Sequence, residues 1–109
     1  MADVIWSDPA LADLDAIADY IALENPAAAS ALVKRIYNHV AQLADHPESG
    51  SYPQELGKSC YRQIVEPPCR IFYRYDGKHA LVLHVMRSER LLRKDRLIAR
   101  TKGVKAPRS

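Results

Sequence analysis

Apolar residues recur every three or four positions through the first half of this chain, and every second position through much of the remainder. Leu11, Leu14, Ile17, Ala18 and Ile21 mark one face of an amphipathic helix over Pro9–Glu24. Asp13, Asp15 and Asp19 fall mainly on its other, solvated side. Asp8-Pro9 reads as an N-cap followed by proline at the first helical position. The same punctuation returns at Asn25-Pro26. Ala29, Val33, Ile36, Val40 and Leu43 then carry a second helix to about Asp45, where His46-Pro47 stops it. Almost no linker separates the two helices, so they form an antiparallel hairpin. Ahead of them, ADVIWS (Ala2–Ser7) is a short strand.

The loop from Pro47 to Ser59 is rich in Pro, Gly and Ser. Strands are predicted over Tyr61–Glu66, Cys69–Tyr75 and Ala80–Met86, divided by Pro67-Pro68 and by the hairpin signal Asp76-Gly77. A short basic helix follows from Ser88 to about Arg100, and Lys102–Ser109 reads as a frayed tail. The order is β-α-α-β-β-β, an α+β domain over residues 1–101. The helix hairpin is expected on one face of a small, mainly antiparallel sheet, with the other face partly open.

Strand alternation places Ile71, Tyr73 and Tyr75 opposite Arg70, Phe72 and Arg74, and Leu81, Leu83 and Val85 opposite Val82, His84 and Met86. Putting the aliphatic sets under the helices leaves Arg70, Arg74, His84 and Phe72 on the open face. Arg62 joins them only if the Pro67-Pro68 turn sets that register. Arginines beside an aromatic suit phosphate and base contact; the plainer reading is that they solubilise an exposed sheet. His84 has the chemistry of a general acid or base, although a lone strand histidine is more often a structural hydrogen-bonding group.

Charge sharpens this picture. The formal net charge of +3 conceals two basic residues against nine acidic ones in Met1–Gly57, five against two in Lys58–Val85, and nine against two in Met86–Ser109. A segment containing Arg87, Arg90, Arg93, Lys94 and Arg96 follows directly on an apolar strand. That asymmetry directs the second half toward an anion, either nucleic acid or an acidic protein surface, unless the halves neutralise each other within the fold. A chain of 109 residues has no room for a large internal pocket, so chemistry belongs on an open face or shallow groove. No apolar run has the length of a signal peptide or a membrane span. Cys60 and Cys69 sit at unequal distances from the proline turn and are read as reduced thiols of a cytoplasmic protein. No His/Cys/carboxylate spacing resembles a metal site, and no glycine-rich phosphate loop or nucleophile elbow is present, so neither metal nor cofactor is expected.

Three strings, in this order, carry a resemblance. ALADLDAIADYI continues through NPAAASALVKRI to LADHP; YRQIVEPPCRIFYRYD and LVLHVMRSERLL follow. From about Val4 to Lys94 the chain resembles the RelE/ParE superfamily, the toxins of bacterial type II toxin–antitoxin modules. The resemblance implies the same β-α-α-β-β-β architecture and one of two activities. RelE-like members cut mRNA in the ribosomal A site with basic residues, whereas ParE-like members poison DNA gyrase. It also implies a DNA-binding, ParD-like antitoxin and a hetero-oligomer with it. The antitoxin's contact along the hairpin is expected at Leu14, Ile17, Ile21, Val33 and Ile36.

By this resemblance Arg70 matches a strand arginine common to both branches, and Arg62 falls where nucleases place a functional lysine. Ile64 replaces a second lysine, and Ser88 replaces a catalytic arginine for which Arg87 or Arg90 is the nearest substitute. Lys94 lies near the place of a functional tyrosine, and no tyrosine follows Tyr75. Some relatives use a histidine near His84. The departures favour the ParE-like branch, with Arg70, Arg87, Arg90, Arg93 and Lys94 meeting the target. A nuclease would use Arg62, Arg70, His84 and Arg87, and a degenerate member that retains only antitoxin binding is the third alternative.

Overall fold

The computed structural model describes Met1–Gly103. Its elements are β1 (Asp3–Trp6), α1 (Asp8–Ala22), α2 (Pro26–Ala41, continued by a 3-10 turn over Gln42–Ala44), β2 (Tyr61–Glu66), β3 (Cys69–Tyr75), β4 (His79–Arg87) and α3 (Lys94–Gly103). One sheet in the order β1-β4-β3-β2 holds all the strands; β1 runs parallel to β4 and the remaining pairs are antiparallel. The expected architecture therefore stands, with a C-terminal helix added. Of the expected frayed tail, Lys102 and Gly103 close α3, and residues 104–109 lie outside the described part.

Local chemistry explains the helix starts. Ser7, rather than Asp8, is the N-cap of α1: its hydroxyl accepts from the Ala10 N–H at 3.2 Å. Asn25 plays the same part for α2, accepting from the Ala28 N–H at 3.0 Å. The hairpin closes on one sheet face around Leu14, Leu32, Ile36, Val40, Leu43, Ile71, Tyr73 and Val82. Burying each large apolar side chain there contributes about 1.5–3 kcal/mol.

The other face is not open. Tyr61, Phe72, Leu81, Leu83, Met86, Leu92 and Leu97 form a second buried cluster, with α3 laid across it. Phe72 and His84, expected at the surface, are buried, and so is Arg70. The expected assignment of Leu81 and Leu83 to the hairpin side is also corrected. β4 pairs with β3 through Tyr73↔Val82 and then Phe72↔His84, leaving Leu83 as an extra residue. This bulge shifts the alternation by one. Before it Val82 faces the hairpin and Leu81 and Leu83 face α3; beyond it Val85 returns to the hairpin core.

The basic helix also starts later than its sequence suggests, at Lys94 rather than Ser88. Ser88 donates to Pro68 O at 2.9 Å and Arg90 closes a local turn on Arg87 O at 3.1 Å. The Leu92 amide, the first donor that a helix begun at Ser88 needs for its i→i−4 ladder, is instead bonded to Glu55 at 3.0 Å. The β2–β3 turn pairs Glu66 with Cys69 and Tyr61 with Arg74, so Cys60 and Cys69 lie toward opposite ends of the hairpin; both are free thiols.

Because α3 seals the second face through fully buried Leu97, Leu97→Ala is expected to cost about 2–4 kcal/mol. Denaturant titration checks this, and a midpoint equal to that of the parent chain would mean that α3 does not cover the sheet in solution.

Candidate functional site

Arg70 rises from β3 beneath the loop that carries Glu55. Its Nη1 and Nη2 donate to the two oxygens of Glu55 at 2.8 and 2.6 Å, its Nε to Gln63 Oε1 at 2.9 Å, and Nη1 also to Arg90 O at 3.2 Å. The guanidinium lies 4.9 Å from the centre of the Phe72 ring. Nearly all of its hydrogen-bonding capacity is therefore consumed inside the protein. Glu55 accepts in addition from the Leu92 N–H at 3.0 Å, so this one ion pair ties the loop before β2 to the backbone of the basic segment. Hydrogen bonds from Arg70 hold the Glu55 carboxyl down to about 2, against burial, which raises it.

His84 is engaged in a second cluster. β1 ends at Trp6, opposite Val82, so β4 has no neighbouring strand along that edge beyond the bulge. α1 fills the place: Asp13 Oδ2 accepts from the Val85 N–H at 3.1 Å and lies 2.7 Å from His84 Nδ1, which is also 2.6 Å from Arg100 Nη1. Arg100 from α3 donates to the same carboxylate and to Leu83 O at 3.1 Å. The His84 ring stacks on Phe72 with centroids 5.8 Å apart. Burial raises the Asp13 carboxyl, but the bonds from His84, Arg100 and the Val85 amide outweigh it and leave its pKa lowered. Asp13 is thus no solvated helix acid, as its position on the polar side of α1 suggested. It joins α1, β4 and α3.

Of the expected nuclease residues, His84 and Arg87 line one cleft, whereas Arg62 and Arg70 lie outside it. Arg62 pairs across from Tyr73, which puts it on the hairpin side of the sheet, away from Arg70 and His84. There it donates to Glu48 O at 3.2 Å, Gly50 O at 2.9 Å and Tyr52 OH at 3.1 Å, fastening the loop. Arg87 is half-buried and bonds Glu89 at 2.9 Å.

What the fold does assemble is a basic cleft of about 340 Å³ between α1 and the segment after β4. Arg87, Arg90, Arg93 and Arg96 surround it, while Ala16, Ile17 and Met86 supply its apolar wall. A contiguous depression carries it past Ala16 and Ile17 to Tyr20. Arg93 is exposed beside Asp95, and Lys94 is exposed at the start of α3 without lining the cleft. Of the apolar residues assigned to an antitoxin, Leu14 and Ile36 are fully committed to the hairpin core, which removes them from any surface. Ile17, Ile21 and Val33 retain partial exposure, and Ile17 alone among them lines the cleft. Among the described residues no group of His, Cys, Asp or Glu is placed to hold a metal ion, and no helix is long and apolar enough to cross a membrane.

Residues 4–92 match the family model described as ParE toxin of type II toxin-antitoxin system, parDE. This chain belongs to the ParE toxin family. It is 38% identical over 89 residues to a Caulobacter vibrioides protein named Toxin RelE2, covering 80% of this chain and 92% of that one. A solved chain titled Chromosomal ParDE TA system from P. aeruginosa superposes with a TM-score of 0.67 at 30% identity, covering 82% of this chain and 98% of its own. The family match ends at Leu92, so α3 and its Arg100 bond to Asp13 lie beyond it.

Asp13, Glu55 and Arg100 are the site residues that sequence reasoning missed. Asp13 carried a weak signal, an acid in a chain whose later strand holds an unmatched histidine. Glu55 and Arg100 carried none, because their partners lie 15 and 87 residues away.

The Glu55–Arg70 pair has a pH signature. A carboxyl lowered from 4.5 to about 2 stabilises the fold fully above pH 4.5, and that contribution disappears as pH falls through about 2. Allowing for solvent screening of this partly exposed pair, it is worth about 1–2 kcal/mol. Glu55→Gln should flatten the acid limb of stability against pH in that window. Acid titrations followed by circular dichroism test this, and superimposable curves would contradict it.

Proposed function

We propose that this chain is a ParE-like toxin that acts on DNA gyrase and is held inactive by a cognate DNA-binding antitoxin of the ParD type in a hetero-oligomer. The observation carrying this reading is that the basic residues expected of a nuclease do not share one site: Arg70 is bound to Glu55 and lies outside the cleft that His84 and Arg87 line, and Arg62 is on the opposite side of the sheet. Cutting mRNA through the ribose 2′-hydroxyl needs a group free to take a proton, with cations placed on the same phosphate. Here those groups do not converge. The exposed positive charge sits instead at the rim of the α1 cleft, on Arg90, Arg93 and Arg96. That arrangement suits binding to a large partner rather than turnover. Membership of the ParE family and the ParDE title of the solved relative support the same branch.

A ribosome-dependent nuclease is the second reading, favoured by the name of the Caulobacter relative, Toxin RelE2. Purified toxin incubated with gyrase, supercoiled plasmid and ATP should accumulate linear DNA after protein removal, and the antitoxin should prevent it. A reporter mRNA in a reconstituted translation reaction should stay full-length. Intact plasmid together with cleaved mRNA would reverse the assignment.

A further inference from the structure

The outward surface of α1 sets apolar, acidic and basic groups side by side. Ala16, Tyr20 and Leu23 fall three or four residues apart and share one stripe of the helix. Tyr20 is 67% exposed and Leu23 82% exposed, and Leu91, on the segment after β4, is as exposed as Leu23. Asp15 and Asp19 run along one flank of the stripe, on the side away from Asp13 and Ile17, which line the cleft. Both are exposed, and neither has a cation within ion-pair distance among the described residues. Arg87 and Arg90 border the other flank. The Arg87 guanidinium lies 5.9 Å from the centre of the Tyr20 ring, and Arg90 shares a depression with Ala16 and Tyr20. Arg87 bonds Glu89 at 2.9 Å, whereas Arg90 has no carboxylate within ion-pair distance among the described residues.

An apolar stripe between an acidic and a basic flank is complementary to a copy of itself. Rotation about an axis parallel to α1 lays two stripes together with the helices parallel, and each acidic flank then meets the other copy's basic flank. Rotation about an axis across the helix instead sets acid on acid and base on base, which like-charge repulsion opposes. The acidic flank also repels a nucleic-acid strand laid along the stripe. Both flanks are already held. The Asp13 bond to the Val85 amide fastens α1 to β4, and the Arg70 bond to Arg90 O fixes the basic side. Association therefore has little left to order.

From this surface we infer that α1 is a self-association face, on which a second copy of this chain packs about a two-fold axis parallel to the helix. Tyr20 and Leu23 meet their counterparts at the centre, and Asp15 and Asp19 of each copy face Arg90 of the other. One contact then covers the large apolar side chains and pairs unmatched charges of both signs. The pairing depends on neither the target nor the antitoxin. It does cover Arg90, so a copy seated on α1 withdraws part of the basic rim from any other partner.

Sedimentation velocity of the full chain, purified without a partner, tests this. The interface is small, so a monomer at roughly 1 µM and a dimer at roughly 100 µM are expected. Asp19→Arg and Arg90→Glu should each leave the chain monomeric at roughly 100 µM, because each sets like charges across the axis. Mixing the two variants in equal amounts should restore the dimer, since every charged contact in the mixed pair then joins opposite signs. Arg74→Glu, which reverses an arginine of β3, should leave the association unchanged. Asp19 and Arg90 are both exposed, so their variants should keep the circular dichroism of the parent chain. A parent chain that is monomeric throughout, or a dimer that persists in both single variants, would overturn the face. Single variants that stay monomeric when mixed would overturn the parallel pairing, and with it the inference.

Discussion

β4 is buried from His79 through Met86, on both faces, and the rest of the molecule is arranged around that condition. A strand without a solvated side must be covered twice. The α1–α2 hairpin provides one layer, through Leu32, Ile36 and Val40, and α3 with Leu92 and Leu97 provides the other. The strand's outer edge needs covering too, because β1 is only four residues long. Asp13 completes it with a side chain where a neighbouring strand would have placed a carbonyl.

This enclosure decides which polar residues are available to a partner. A charge carried into a covered sheet face must be paired there. Arg70 and His84 meet that requirement through Glu55 and Asp13, which leaves little of the Arg70 guanidinium for an outside anion and only the second ring nitrogen of His84. The same bonds have a second effect. By claiming the Arg90 carbonyl and the Leu92 amide, the Glu55–Arg70 pair keeps the chain after β4 out of a helix until Lys94. The arginines there project around a cleft and are not wound onto one helical surface. The basic rim is thus a product of the packing that neutralises the sheet.

Periodicity made much of this legible. Tyr61–Glu66 and Cys69–Tyr75 are strands to the residue, and the helix hairpin ends within a few residues of its proline signals. Alternation failed at one place, the extra residue at Leu83, because a bulge leaves no mark in a run as uniformly apolar as ALVLHVM. That single shift exchanged the faces of Leu81 and Leu83. The closed second face was harder still. α3 is mostly polar and holds one fully buried residue, Leu97, so its composition reads as a solvated basic helix and not as a cover for the sheet. For the site, the basic segment was visible as charge. The partners that bind Arg70 and His84 were not, since each is supplied by a distant element brought near only by the folded sheet.

We propose that position in the cleft, and not net positive charge, makes the arginines functional. Comparing Arg90→Glu with Arg74→Glu in gyrase-dependent linearisation of supercoiled plasmid separates the two, because each substitution changes the charge equally. Loss of linear DNA with Arg90→Glu and its retention with Arg74→Glu is the predicted result. Equal activity from the two variants, whether both high or both low, would contradict it.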